Sequence, residues 1–111
     1  MRLYRDALNS SNPNGTIYAS RDVTSKAIIH SKPEPLYTER ARRNQVRGTV
    51  RVRLVLGADG KVHHVYPTRR LPDGLTEAAI RAAQQIKFTP AIKDGRLVSQ
   101  FVTIEYNFNI Y

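Results

Sequence analysis

The sequence contains no cysteine, which excludes disulfide bridges, thiolate zinc sites and thiol catalysis. It has no apolar run approaching the ~20 residues of a membrane-spanning helix, and its opening stretch, MRLYRDALNSSNPNG, lacks the apolar segment of a signal peptide. Any anchor or export signal is therefore expected upstream of Met1. Acidic residues are scarce: nine against 18 basic ones, 13 of them arginine, for a net charge of +9. The nine acids are scattered, and no two are placed by local spacing for acid–base work.

The constellations that mark enzymes and metal centres are missing too. His63 and His64 are adjacent in what reads as a strand, so they point to opposite faces and cannot chelate one metal together. Asp59 and Asp94 each precede a glycine, where aspartate serves turn geometry. No glycine-rich phosphate loop precedes a helix, and no serine has the surroundings of a nucleophile elbow. These absences point to a binding domain rather than an enzyme, with no cofactor and no metal.

What is present suits one small domain. A chain of 111 residues that is 41% hydrophobic suffices for one compact unit with a modest core. Residues 1–26 read as a flexible leader or linker, because Asn9 to Gly15 is a polar, turn-rich cluster. The domain proper is expected over 27–111. Ala27 to His30 suggests a short strand, and Pro33-Glu34-Pro35 forces extended backbone. Thr38 to Gln45 reads as a short helix capped by Thr38, with Arg42 and Arg43 suited to its C-terminal end.

Residues 49–56 are the clearest strand: Val50, Val52, Leu54 and Leu56 share one face, Thr49, Arg51 and Arg53 the other. Gly57-Ala58-Asp59-Gly60 predicts a hairpin turn, and Lys61 to Tyr66 the return strand, ended by Pro67. Leu75 to Lys87 shows helical spacing, with Leu75, Ala78, Ala79, Ala82, Ala83 and Ile86 on one stripe; Pro90 stops it. Four alanines let this helix lie close to a sheet. Asp94-Gly95 marks another turn, and Val98 to Ile110 alternates as a long strand. The fold class is α+β: a three-stranded, mainly antiparallel sheet with two helices on one face, in the order α-β-β-α-β.

The last strand draws attention. Thirteen residues, 98–110, outrun a hairpin whose strands have six to eight. An overhang with unpaired amides and carbonyls is expected, and such an edge is a template for an extended peptide or for a second copy of the chain. The other feature is charge. From Arg40 to Arg53 there are six arginines and no acid. Arg40, Arg43, Arg47, Arg51 and Arg53 form either a basic patch for an anionic partner or a solvated face. Nucleic acid is not expected, because the open face lacks interleaved aromatics and no helix is rich in base-reading side chains.

Several spaced elements together resemble the C-terminal domain of the TonB family. They are Pro35-Leu36-Tyr37 followed by Ala41; Gly48-Thr49-Val50 with Asp59-Gly60-Lys61-Val62; Leu75, Ala79 and Ala83; and Phe88-Thr89-Pro90-Ala91 followed by Gly95 and Val98. The chain departs from the family pattern at Thr38, where a proline usually follows the tyrosine, and at Ile86, usually aromatic. The resemblance implies a periplasmic domain of a protein anchored in the inner membrane of a Gram-negative bacterium. Such a domain grips the Ton box of outer-membrane TonB-dependent transporters by strand addition. Inner-membrane motor partners, acting through an N-terminal region, supply the proton motive force that drives uptake of siderophores, cobalamin or similar ligands. On that reading Leu36, Tyr37, Arg42, Ser99, Phe101, Thr103, Glu105 and Asn107 are the partner-binding residues, and a weak homodimer through the last strand is expected. The alternatives are a similar interaction module inside another envelope protein and, ranked below it, a basic nucleic-acid-binding domain.

Overall fold

The apolar stripe Val50, Val52, Leu54 and Leu56 is fully buried, and it belongs to the strand that organises the molecule. In the computed structural model, which describes residues 16–110, this strand is β3 (Gly48–Leu56). Most of the expected leader, residues 1–15, lies outside the described residues. β3 is flanked by β4 (Val62–Arg69), its hairpin partner, and by β7 (Arg96–Phe108). Its register with β7 runs without a slip from Gly48 opposite Phe108 to Leu56 opposite Gln100. Upstream, β1 (Ile17–Tyr18) pairs in parallel with Ser99 and Gln100 of β7, giving the order β1-β7-β3-β4.

Two helices cover one face of this sheet. α1 (Glu39–Arg43) is capped by Thr38, whose hydroxyl oxygen accepts from the Ala41 N–H at 3.1 Å and donates to the Asp73 carbonyl at 2.7 Å. α2 (Leu75–Ala83) presents Leu75, Ala79, Ala82 and Ala83 to the sheet. With Ala41, Ile86, Ile104, Tyr106 and Phe108 these residues and the β3 stripe form one core. Alanines permit the close approach, and burial of so much aliphatic surface is the main stabilising term for a domain this small. The α+β class and the two helices on one face match the sequence reading.

Four local expectations are corrected. Pro67 does not end the return strand: β4 continues to Arg69, with Pro67 opposite Val52. A proline is tolerated there because β4 is an edge strand and its pairing slips on either side of that point. The second helix stops at Ala83 rather than Lys87, because Gln85 and Ile86 donate to the carbonyls three residues back and tighten the last turn. The chain then forms β5 (Lys87–Thr89), which pairs with β2 (Ile28–Ser31), and β6 (Ala91–Lys93), which makes a hairpin with the start of β7. Among the described residues the main sheet therefore holds five strands rather than three, and β2 and β5 form a separate two-stranded sheet. Finally, β7 has no overhang: β3 spans 100–108 and β6 spans 96–98.

The other face of the sheet carries Thr49, Arg51 and Arg53, as the alternation predicts. Val55 shares their side yet is only 1% exposed. It sits opposite Phe101, next to the place where the β3–β4 register slips.

Candidate peptide-binding edge

Which backbone groups of β7 remain open follows from the register. In an antiparallel ladder, successive residues direct their N–H and C=O to alternate sides. Odd-numbered residues of β3 face β4: the Arg51 carbonyl accepts from Thr68 Oγ1, and Gly57, next but one beyond Val55 in the same parity, exchanges bonds with the turn. Even-numbered residues of β3 therefore face β7, and they pair with even-numbered residues there. The main-chain groups of Phe101, Thr103, Glu105 and Asn107 consequently point away from β3. Among the described residues no strand pairs with them. The Glu105 carbonyl confirms the direction, since it accepts from Lys32 Nζ at 3.3 Å.

This edge has two defined ends. At one, β1 stops at Tyr18 and the chain turns into the single 3-10 turn Ser20–Asp22. At the other, the Lys32–Tyr37 strap passes beside Glu105, Tyr106 and Phe108. Tyr37 meets Phe108 edge to face, centroids 5.5 Å apart, and donates its hydroxyl to the Val46 carbonyl. Arg42 lies over the Tyr37 ring at 4.7 Å, and Leu36 is 74% exposed. Tyr37 and Arg42 are thus in contact, and Leu36 is the exposed chain neighbour of Tyr37.

The strand residues divide. Thr103, Glu105 and Asn107 are exposed on the outer face, and Phe101 is half-buried. Ser99 is different: it is fully buried, pairs with Ile17, and accepts from the Ala58 N–H through its hydroxyl at 2.9 Å. The open run starts at Phe101. The arginines do not make one continuous patch. Arg40 and Arg43 project from α1 on the helical side, with Arg40 3.7 Å from Asp73, and Arg47 is exposed just before β3. Arg51 and Arg53 lie on the opposite face. Arg51 holds the Glu105 carboxylate at 2.6 Å, and Arg53 lies over the Phe101 ring at 4.7 Å.

Sequence reasoning missed Lys32 and β1. Neither has a local signal, because their partners on β7 lie more than 70 positions away. Two titratable groups are shifted. Burial, with Glu34 nearby, pushes the Tyr106 hydroxyl up to about 12, and partial burial followed by the neighbouring His63 lowers His64. Among the described residues no group of three metal-ligating side chains comes together.

The profile of the family described as the Gram-negative bacterial TonB protein C-terminal matches residues 33–110. The chain belongs to that family. The TonB protein of Vibrio cholerae is 29% identical over 106 residues, which take in 88% of this chain and 43% of that protein. The chain therefore spans less than half the length of this relative. The solution NMR structure of the Pseudomonas aeruginosa TonB C-terminal domain has a TM-score of 0.62 at 21% identity, covering 85% of this chain and 94% of that one. The likeness shows a shared fold. The family is one of transport energy transducers and not an enzyme family. In this TonB-type domain the departure at Thr38 has a physical reading: the hydroxyl that replaces a proline caps α1 and ties it to the Asp73 loop ahead of α2.

Proposed function

We propose that this domain binds the Ton box of an outer-membrane transporter by adding it as a strand along Phe101–Asn107. On this reading the whole protein is anchored in the inner membrane, its domain works in the periplasm, and proton-driven motor partners in that membrane power uptake of siderophores, cobalamin or similar ligands. The observation that carries the reading is the outward row of main-chain groups at Phe101, Thr103, Glu105 and Asn107. A paired strand would satisfy these groups at once, giving affinity that tolerates side-chain variety. Leu36, Tyr37 and Arg42 stand at the far end of the row as a surface for selection. The charge of +9 favours acidic partners and speeds their association.

The test is titration of a labelled Ton-box peptide into wild-type and proline variants, with circular dichroism confirming the fold. Thr103→Pro removes an outward donor and leaves the ladder to β3 intact, so it is expected to weaken binding about tenfold while staying folded. Ile104→Pro removes an inward donor and damages the fold. Thr103→Ala changes only a side chain, and its affinity stays within about threefold. If folded Thr103→Pro binds as tightly as wild type, strand addition is the wrong mechanism.

A further inference from the structure

Two hollows on the outer side of the sheet share the same pair of side chains. One, about 270 Å³, is walled by Arg53, Val55, Tyr66 and Phe101. The other, about 380 Å³, lies at the start of the open edge, with Ala19 and Ser20 on one side and Arg53, Phe101 and Thr103 on the other. Arg53 springs from β3, opposite Thr103. By lying over Phe101, with Cζ 4.7 Å from the ring centroid, it carries its charge across to β7. An added strand would run about 4.8 Å further out, within reach of a guanidinium so placed.

Row by row, the outer face beside the open edge is already closed except here. The Thr49 hydroxyl bonds to the Asn107 side chain at 2.7 Å. Arg51 holds Glu105 with two of its nitrogens, at 2.8 and 2.6 Å. Arg53 holds its guanidinium carbon over an aromatic ring, and among the described residues no carboxylate lies within ion-pair distance of it. A ring contact takes up no N–H donor of a guanidinium, and those donors suit a carboxylate in forked geometry. The ring contact also restricts the side chain, which lowers the entropy lost when a partner binds.

We infer that Arg53, granted the strand-addition reading above, selects the partner: it takes the carboxylate of an Asp or Glu in the added strand, at the residue lying beside Phe101 or Thr103 on the outer face. The neighbouring rows, with Arg51 and Asn107 engaged, read no charge. Acidic character is thereby demanded at one place in the partner segment rather than along its whole length.

The experiment uses a labelled Ton-box peptide with every acidic residue replaced by Gln, and a series of that peptide carrying one Glu at successive positions. Wild-type protein is expected to bind one member, or two members spaced two residues apart, about three- to fivefold more tightly than the all-Gln parent, in keeping with a partly exposed ion pair. Arg53→Gln is expected to bring that Glu-over-Gln ratio close to one. Arg53→Met, which keeps the stem against Phe101, serves as the second variant and gives the same result. Equal binding of Glu and Gln peptides by wild type, or an unchanged ratio in both variants, overturns the assignment of Arg53 and leaves strand addition standing. Failure of wild type to bind any peptide, the parent included, overturns the strand-addition reading and this inference with it.

Discussion

The Lys32 ammonium stands 3.3 Å from the main-chain carbonyl oxygen of Glu105 and 5.0 Å from the centroid of the Tyr106 ring. A strap more than 70 positions away in sequence thus places a charge on the open edge of β7. Lysines on edges oppose pairing between copies, because a second copy would bring the same charge to the same seam. The wild-type domain is expected to be monomeric at micromolar concentration and to dimerise weakly through Phe101–Asn107 when concentrated. Lys32→Met should strengthen that dimer about tenfold. Sedimentation velocity over a concentration series decides it: a nanomolar wild-type dimer, or no gain in Lys32→Met, contradicts the expectation.

Tyr106 gives a pH signature. Its side chain is only 2% exposed, its hydroxyl has no hydrogen-bond partner among the described residues, and its pKa is pushed from 10.0 up to about 12 by burial and by Glu34. The folded protein keeps a proton that the unfolded chain releases above pH 10. Stability therefore falls as pH rises from 10 to 12, by up to roughly 2–3 kcal/mol. Tyr106→Phe should remove that part of the decline. At pH 7 it should cost little or stabilise, since an unpaired buried hydroxyl is lost. Urea unfolding of both proteins between pH 7 and pH 11 measures the difference.

The close packing of α2 against the sheet makes size changes asymmetric. Ala83 is fully buried in the core, and Ala83→Leu is expected to cost about 1–3 kcal/mol by overpacking. Leu54→Ala, at another fully buried site, should cost about 2–5 kcal/mol through the cavity left behind. Phe88 is half-buried on β5 at the border of the core, so Phe88→Ala should cost less than the full ~3–5 kcal/mol of a buried ring. Thermal unfolding that barely moves for Ala83→Leu would rule out the tight helix–sheet contact.

Gly57 opens the β3–β4 turn in a place with no room for a side chain. A Cβ there would lie 2.4 Å from Asp59 Oδ1, 2.7 Å from His63 Cδ2 and 2.8 Å from the Lys61 carbonyl oxygen. The last is backbone and accepts from the Gly57 N–H at 2.9 Å, so it cannot give way. Gly57→Ala is expected to destabilise by about 1–3 kcal/mol and to disturb the His63–Asp59 contact of 2.9 Å. Chemical denaturation and the His63 ring signals in NMR report the two effects separately.

Local periodicity was enough to place β3, the first turn, α1 with its Thr38 cap and the apolar stripe of α2, because each is set by contacts within a few residues. The alternation along β7 likewise told which side chains face the core: Ile104, Tyr106 and Phe108 are buried, and Thr103, Glu105 and Asn107 are exposed. The sequence also carried the family, since its glycines, prolines and aromatics fall in the family's order. It could not tell where α2 yields to β5, because Lys87–Thr89 becomes a strand only by meeting β2.

The open edge of β7 was decided by tertiary structure. Alternation says which face a side chain takes and nothing about which strand lies alongside. That β3 pairs with β7 over its full length, that the pairing of β1 with β7 stops at Gln100, and that Lys32 reaches Glu105 all depend on contacts between distant segments. The same holds for charge. Six arginines within Arg40–Arg53 look like one patch in the sequence, but a helix and a strand turn them to opposite faces. Arg51 is then neutralised by Glu105, 54 positions away, and Arg53 is left on Phe101. Local sequence determines the period of each element. Only the docking of elements decides which backbone groups and which charges remain unspent.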